Sequence, residues 1–242
     1  MSKKELRYQK LIEENILEDE DAIIDIAELS SKVIERDLKI YFFDEKRKER
    51  DWKIPVAIFI KTFEEVIKEL IRLRKSYNSF EINFANRFLI GFDNCENEED
   101  EKEGNFMIYI FHVNQASKDT EYDDYDTETP PERAVKWINE NVKDNPEVIK
   151  RISENSVEKL KDYDIVFYST DLIAPIFSIM YDTCVKYLKD KRREMEEYEY
   201  EINFAGCFYI SARESEDGID TITIRPNIES KTGLKDDANS AK

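Results

Sequence analysis

A ten-residue segment occurs twice in this chain, and the repeat constrains the fold more than any other feature. Residues 81–90 read EINFANRFLI and residues 201–210 read EINFAGCFYI, so seven of ten positions are identical at a spacing of 120 residues. Pro55 and Pro175 are separated by the same distance. Self-similarity at a fixed spacing is typical of an internal duplication. The sequence therefore predicts two related halves.

The hydrophobic pattern predicts the same order of elements in both halves. Apolar residues at helical spacing predict long helices over 55–75 and from about 170 to 197. Branched and aromatic runs at 38–43 and 164–168 predict a buried strand before each long helix. After the helices, apolar residues alternate over 80–92 and 200–212, which predicts one long strand in each half. Return strands at 106–113 and 219–224 complete the hairpins.

The middle of each predicted long strand contains a residue that tolerates positive φ. Asn86 occupies this place in the first copy and Gly206 in the second. Because Gly and Asn adopt positive φ most readily, their equivalence predicts a bulge or kink in mid-strand.

These elements predict an α+β fold built as a tandem duplication of a helix–strand–long helix–β-hairpin unit. A pseudo-twofold axis would relate the halves, with antiparallel hairpins covered by long amphipathic helices. The predicted boundaries are residues 1–115 for the first repeat with an N-terminal helix, 116–129 for an acidic linker, 130–226 for the second repeat and 227–242 for a disordered tail.

The charge balance limits the partners. Acids outnumber bases by 55 to 37, which gives a net charge of −18. Such a surface repels nucleic-acid phosphates and anionic lipids, so we expect neither direct nucleic-acid binding nor membrane binding. Three distant cysteines and the absence of an apolar leader favour a cytoplasmic protein with free thiols.

Much of the negative charge lies in one region between residues 93 and 128. Thirteen acids face only two lysines there, a net charge of −11. One interpretation is a solvated loop and linker. The alternative is a patch that binds a basic protein surface, with interleaved tyrosines adding contact area. The candidate partner-binding residues are Asp93, Glu96, Glu98, Glu99, Asp100, Glu101, Glu103, Tyr122 and Tyr125.

The repeated glutamates, Glu81 and Glu201, form a second candidate binding site. They share the polar parity of the strands with Asn83 and Asn203. The alternation rule favours a solvated strand face. In the alternative, the two glutamates line a groove along the pseudo-twofold axis.

No catalytic or cofactor motif is present. His112 is the only histidine, so a nucleophile–histidine site has one available base and a four-ligand zinc site cannot be assembled. The five glycines form no phosphate-binding loop, and the segment after Asp93 lacks the glycine and ligand order of a calcium loop. We therefore expect no cofactor and no catalytic residue.

Three functions follow from this pattern. The favoured one is a non-enzymatic intracellular protein-interaction protein, namely a complex subunit, an inhibitor or an immunity-type partner. The second is an acidic decoy that inhibits a nucleic-acid-binding enzyme. The third is a carboxylate-based enzyme, with or without Mg²⁺, because paired carboxylates assemble in three dimensions and leave no local motif.

Overall fold

The computed structural model describes residues 6–14, 19–44, 48–84, 88–94, 106–112, 129–142, 144–204, 207–214 and 220–226. Within these ranges the chain is a mixture of helices and antiparallel sheet. The helices are α1 (Arg7–Glu13), α2 (Glu20–Leu38), α3 (Lys53–Arg74), α4 (Pro130–Asn141), α5 (Pro146–Lys161) and α6 (Ile173–Met195). A short 3₁₀ turn, Thr170–Leu172, leads into α6. These elements confirm a fold with both helices and sheets.

The strands form one short ribbon and two three-stranded sheets. The ribbon pairs β1 (Phe43–Asp44) with β2 (Glu49–Arg50). The first sheet contains β3 (Ser79–Phe84), β4 (Phe88–Asn94) and β5 (Phe106–His112), and the second contains β6 (Glu199–Phe204), β7 (Phe208–Glu214) and β8 (Asp220–Pro226). Each sheet is antiparallel, with its strands in chain order. β5 lies next to β8, so the sheets meet at these two edges.

The prediction of one long strand in each half is wrong, because each predicted strand is a hairpin. Phe84 pairs with Phe88, and Phe204 pairs with Phe208. Directly paired residues of an antiparallel hairpin lie on the same face, and a three-residue connection preserves their parity. Alternation therefore continues through the reversal. The predicted bulge at Asn86 and Gly206 falls on residues outside the described part.

The two strands predicted before the long helices are also absent. At 38–43 the spacing of Ile34 and Leu38 continues the helix, and α2 ends at Leu38 with Lys39 in the left-handed conformation at φ 55°. Only Phe43 of this run enters a strand, in the short ribbon. The second run, 164–168, lies outside the three described sheets, and Val166 within it is 79% exposed. Both runs are apolar, but apart from Phe43, which pairs with Arg50, neither has a strand partner among the residues the structure describes.

The N-terminal halves of α3 and α6 lie at the centre of the molecule. Residues 55–60 of α3 are all buried, and so are residues 173–181 of α6. A helix that is apolar on all sides is stable only when it is surrounded. Here α3 packs against α5, α6 and α1, and α6 packs against α2, α3 and the second sheet.

Phe59 of α3 and Phe177 of α6 contact each other at this centre, with ring centroids 5.3 Å apart. Phe59 also reaches the second sheet, where it lies edge-on to Phe204 at 5.3 Å. Phe177 reaches the first sheet and contacts Phe84 at 5.2 Å. Each long helix therefore packs an aromatic ring on the sheet of the other half. A single hydrophobic cluster contains residues from both halves.

The helix starts follow the local sequence. A capping box begins α4, where the Glu132 carboxylate accepts hydrogen bonds from the Thr129 backbone N–H at 2.7 Å and from its hydroxyl at 2.8 Å. These bonds lower the pKa of Glu132. Pro55 and Pro175 are each the third residue of their helices, where a missing N–H costs no helical hydrogen bond. The predicted linker, apart from Thr129, and the predicted tail lie outside the described residues, and the domain boundaries stay a prediction.

Because Phe59 joins α6 to the second sheet, we expect Phe59→Ala to lower the free energy of unfolding by about 3–5 kcal/mol, as a large cavity in a packed core does. Urea unfolding followed by circular dichroism and by tryptophan fluorescence measures this loss. The control is Tyr41→Ala, since Tyr41 is 68% exposed; its free energy of unfolding should change by less than about 0.5 kcal/mol. Equal stability of Phe59→Ala and the wild type would contradict the central role of this ring.

Candidate functional site

Most of the predicted partner-binding residues lie outside the described part of the chain. This applies to Glu96, Glu98, Glu99, Asp100, Glu101, Glu103, Tyr122 and Tyr125. Asp93 is placed only by its backbone, which pairs with Ser79 and Met107 in the first sheet. The strand ends do fix the length of the acidic connection, which spans 95–105 in the first sheet against 215–219 in the second. The binding role of these residues stays a prediction.

The polar residues of the repeated strands connect the two halves. In the first sheet, the Asn83 amide donates to Asp144 Oδ2 at 3.1 Å, and the Glu81 carbonyl accepts from Asn145 Nδ2 at 3.2 Å. Asp144 and Asn145 directly precede α5 of the second half. In the second sheet, the Asn203 backbone N–H donates to Asp19 Oδ2 at 2.8 Å. Asp19 is the residue before α2 of the first half.

The two halves thus contact each other through the repeated asparagines. Asn83 and Asn203 each hold the start of a helix from the other half. The exposed N–H groups at a helix start favour nearby carboxylates, so Asp19 and Asp144 are suited to these positions. In these contacts Asn83 uses its side chain, whereas Glu81 and Asn203 use backbone atoms.

The second glutamate of the repeat has a partner within its own sheet. The Glu201 carboxylate forms an ion pair with Arg225 of β8, and the Arg225 guanidinium lies 5.4 Å from the centre of the Tyr209 ring. Beside this group, the hydroxyls of Ser211 and Thr223 lie 2.6 Å apart. The polar face of the second sheet is thus satisfied by cross-strand pairs. Neither Glu81 nor Glu201 lines the groove described below.

Besides the central α3–α6 contact, two outer helix pairs that correspond in position join the halves. α5 packs against α3, and α2 packs against α6. Arg151, the sixth residue of α5, contacts Glu69, which follows Phe59 by ten residues. Asp25, the sixth residue of α2, contacts Tyr187, which follows Phe177 by ten residues. The two seams can therefore be compared directly.

The seam between α3 and α5 is closed by a buried carboxylate. Glu69 is only 4% exposed and accepts hydrogen bonds from Arg151 Nε at 2.8 Å and from Arg72 Nη2 at 2.7 Å. Burial acts to raise the pKa of Glu69, but the hydrogen bonds and charges of the two arginines outweigh it and hold that pKa below its ordinary value. The carboxylate is thus ionised and fully partnered.

The seam between α2 and α6 is open. At the position that corresponds to Glu69, the Tyr187 hydroxyl donates a hydrogen bond to Asp25 Oδ2 at 3.3 Å. A groove of about 690 Å³ runs along this seam. Its lining on α2 follows helical spacing and consists of Asp25, Glu28, Leu29, Lys32, Val33 and Arg36, which together we name the α2 outer face.

The two helices of this seam run antiparallel. Asp25, near the start of α2, contacts Tyr187 in the C-terminal half of α6. At the other end of α2, Glu35 binds the Arg50 guanidinium at 2.6 and 2.8 Å, close to the start of α3. The N-terminal half of α3 in turn contacts the N-terminal half of α6 through Phe59 and Phe177. The end of α2 therefore lies towards the start of α6.

The groove combines an apolar centre with charged ends. Leu29 is 44% exposed, Val33 is half-buried, and Ile179 of α6 is buried beneath them. Around Asp25 the lining is mostly acidic, with Glu28, Asp190 and Glu194. Towards the end of α2 the lining carries Lys32 and Arg36 on α2, with Asp182 on α6. An exposed apolar strip flanked by charges is typical of a surface that binds an amphipathic helix.

The groups at the acidic end are fixed by their neighbours. Partial burial raises the pKa of Tyr187, and the Asp25 carboxylate raises it further, so the phenol remains a hydrogen-bond donor. Lys191 lies 5.7 Å from the Tyr187 ring centre and pairs with Glu194 at 2.9 Å. The Glu194 hydrogen bond, together with nearby acids including Asp25, raises the pKa of Lys191. This end of the groove carries stable charges rather than a proton-transfer group.

The described residues contain little that suits catalysis. No group of three or more histidine, cysteine or acidic side chains converges on a metal-sized site within them. Cys184 is fully buried, and burial raises the pKa of its thiol, which disfavours a nucleophilic thiolate. Where these residues show a shifted carboxyl pKa, at Glu69 and Glu132, the shift is downward, the opposite of a general acid. No described helix is long and apolar enough to cross a membrane.

Comparison with protein-family models, curated proteins and solved structures found no match to this chain. The α2–α6 groove is therefore a candidate binding site on the basis of its geometry. The sequence pattern did not identify this groove, although one signal was present. Leu29 widens the apolar stripe of α2 beyond the residues that become buried, such as Ile26 and Ser30. An apolar stripe wider than one neighbour can cover indicates a surface for a further contact.

The Glu69 seam gives a pH-dependent expectation. Since the folded-state pKa of Glu69 is lowered, its stabilising contribution is present above the unfolded-state value of about 4.5 and is lost as pH falls through the folded-state pKa. We expect Glu69→Gln to lower the free energy of unfolding by about 1–3 kcal/mol at pH 7 and by clearly less at pH 3.5. Urea unfolding at both pH values measures the difference.

Glu154→Gln is the matched control for Glu69→Gln. The Glu154 side chain is 52% exposed and its contact with Lys150 is 4.0 Å long, so its loss should change stability by less than about 0.5 kcal/mol. A Glu69→Gln effect of the same size at both pH values would argue against an ionised Glu69.

Proposed function

We propose that this chain is a non-enzymatic intracellular protein-interaction protein, a complex subunit or an inhibitor, whose α2–α6 groove receives an amphipathic helix of its partner. The observation that carries this proposal is the half-exposed Leu29 at the centre of a groove with charged ends. Apolar residues rimmed by charges favour protein contacts, because burying the apolar strip supplies affinity and the rim supplies orientation.

The contrast between the two seams supports the choice of this groove. In the α3–α5 seam, buried Glu69 is held by hydrogen bonds from Arg72 and Arg151. At the corresponding position of the α2–α6 seam, Tyr187 donates to Asp25, and the groove beside this contact is open to solvent. If the open seam had only a structural role, closing it as in the other seam would stabilise the protein further. A partner helix accounts for the difference.

We also propose that the two halves arose by tandem duplication with a pseudo-twofold relation. The supporting observations are the shared strand order and the equal registers of the two hairpins at a spacing of 120 residues. The exchanged contacts of Asn83 and Asn203 point the same way. On this proposal the groove marks the place where the copies diverged.

The groove proposal is tested by Leu29→Asp. The tagged chain, with this substitution and without it, is used to capture proteins from a native lysate, and the captured proteins are quantified by mass spectrometry. A charge at the groove centre is expected to reduce capture of the specific partner at least about tenfold, because a carboxylate then has to be buried without a partner. The matched control is Val135→Asp on α4, since Val135 is 42% exposed on a different helix.

Two results bear on this comparison. Capture that is equal for Leu29→Asp and the wild type would refute the groove as the binding site. Melting temperatures of both variants close to that of the wild type would exclude unfolding as the cause of a loss.

The charge distribution favours a second candidate function, an acidic decoy for a nucleic-acid-binding enzyme. Between residues 93 and 128 the net charge is −11. A binding site of this kind acts through long-range attraction to a basic surface, which salt screens.

For the decoy function, replacing residues 93–103 by a short neutral turn is expected to abolish partner binding, and wild-type binding is expected to weaken steeply between low and physiological salt. Isothermal titration at several salt concentrations measures both effects. Binding that is insensitive to salt would exclude the decoy and leave the groove proposal intact.

A further inference from the structure

The order of charges on the α2 outer face is complementary to the same face running in the opposite direction. Along the helix the face reads Asp25, Glu28, Leu29, Lys32, Val33 and Arg36. Both acids therefore precede both bases, and an apolar residue lies between them. Six residues at this spacing extend over about 16 Å of helix, given a rise of 1.5 Å per residue.

Two such faces fit together when they run antiparallel. Asp25 then lies opposite Arg36, Glu28 opposite Lys32, and Leu29 opposite Val33. The three residue pairs have nearly the same midpoint on the helix. One antiparallel register therefore aligns each pair to within about 1.5 Å along the helix axis. Each pairing occurs twice across a twofold axis, so the interface between two faces contains four ion pairs and an apolar centre.

We propose, on the basis of the protein-binding role of the groove, that its occupant is the α2 outer face of a second copy of this chain. The resulting dimer is isologous, with the same surface contributed by both protomers. Leu29 of each copy enters the groove between α2 and α6 of the other. This arrangement covers the 44% of Leu29 that is exposed in the single chain.

The helix dipole accounts for only part of this pattern. Acids near the start of a helix and bases near its end complement the dipole of a single helix. The dipole does not require an exposed leucine between them. α5, which occupies the corresponding place in the other seam, has no large exposed hydrophobic residue. Its exposed residues between 147 and 161 are all polar or charged.

The existing contacts of the α2 outer face permit ion pairs with a second copy of the chain. Arg36 forms an ion pair with the adjacent Asp37, and the Arg36 side chain remains 65% exposed. Asp25 keeps one carboxylate oxygen in the Tyr187 hydrogen bond. Exposed ion pairs contribute little to stability and are readily replaced by intermolecular ones. Local opposite charges also overcome the general repulsion between two chains of net charge −18, because screening leaves only short-range contacts effective.

The test is a charge-reversal exchange on the purified full chain, with sedimentation velocity as the measurement. We expect the dissociation constant of the wild-type dimer to be on the order of 100 μM or below. The wild type should therefore sediment as a dimer above that concentration. Glu28→Lys and Lys32→Glu each place like charges opposite each other and are expected to weaken the dimer about tenfold or more. An equimolar mixture of the two variants restores both pairs of opposite charge, so it is expected to recover the dimer.

The apolar centre is tested in parallel. Leu29→Lys is expected to give a monomer, whereas Val135→Lys on α4 is expected to remain dimeric. Circular dichroism melting confirms that the variants are folded. A wild type that is monomeric over the whole range would overturn the proposal, and so would variants that fail to recover the dimer on mixing.

Failure of the dimer is separable from failure of the proposed function. If the wild type is monomeric while Leu29→Asp still abolishes capture from lysate, the groove binds a different protein and only the second-copy assignment is wrong. If neither self-association nor capture depends on Leu29, both proposals are wrong.

Discussion

The contact between Phe59 and Phe177 is the interaction on which the rest of the structure depends. Each ring belongs to a long helix of one half and packs on an aromatic residue in the sheet of the other half. Both helices are therefore buried on all sides in their N-terminal halves, and the remaining elements have to surround them. The shared core follows directly, because each sheet also receives an aromatic ring from the long helix of the other half.

Surrounding two central helices creates two outer seams, and their difference is the main functional clue. One seam buries Glu69 between two arginines, which satisfies the carboxylate and closes the surface. The other seam has the hydrogen bond between Tyr187 and Asp25 at the corresponding position and leaves an apolar strip exposed beside it. The two seams have similar helix arrangements but different surfaces, and among the described residues only the α2–α6 seam leaves apolar residues exposed. The groove carries the proposed partner site for this reason.

Sequence patterns predicted elements well where a local rule decides them. The long helices and the return strands depend on residue spacing, and the structure contains them. The alternation after α3 predicted the buried faces correctly but not the chain reversal, because paired residues of a hairpin with a three-residue connection keep the same parity. The runs at 38–43 and 164–168 were predicted as strands from composition, yet a strand also requires a partner. Composition carries no information on that requirement.

The candidate site was the least predictable part. Asn83 and Asn203 were identified from the repeat, but their contacts with Asp144 and Asp19 depend on which helix of the other half begins beside each sheet. The groove combines side chains more than 140 residues apart, so no local pattern contains it. Only the excess apolar residue Leu29 gave a signal, and its exposure is decided by packing.

The sequence by itself determined the repeat, the α+β class, the long helices and the parity of β3, β4, β6 and β7, because these follow from residue spacing and local backbone chemistry. The tertiary structure decided that the halves exchange aromatic and polar contacts, that one seam closes around Glu69 and that the other remains open at Leu29. These outcomes depend on distances between residues far apart in the chain. Burial and pairing free energies, rather than local conformation, select among them.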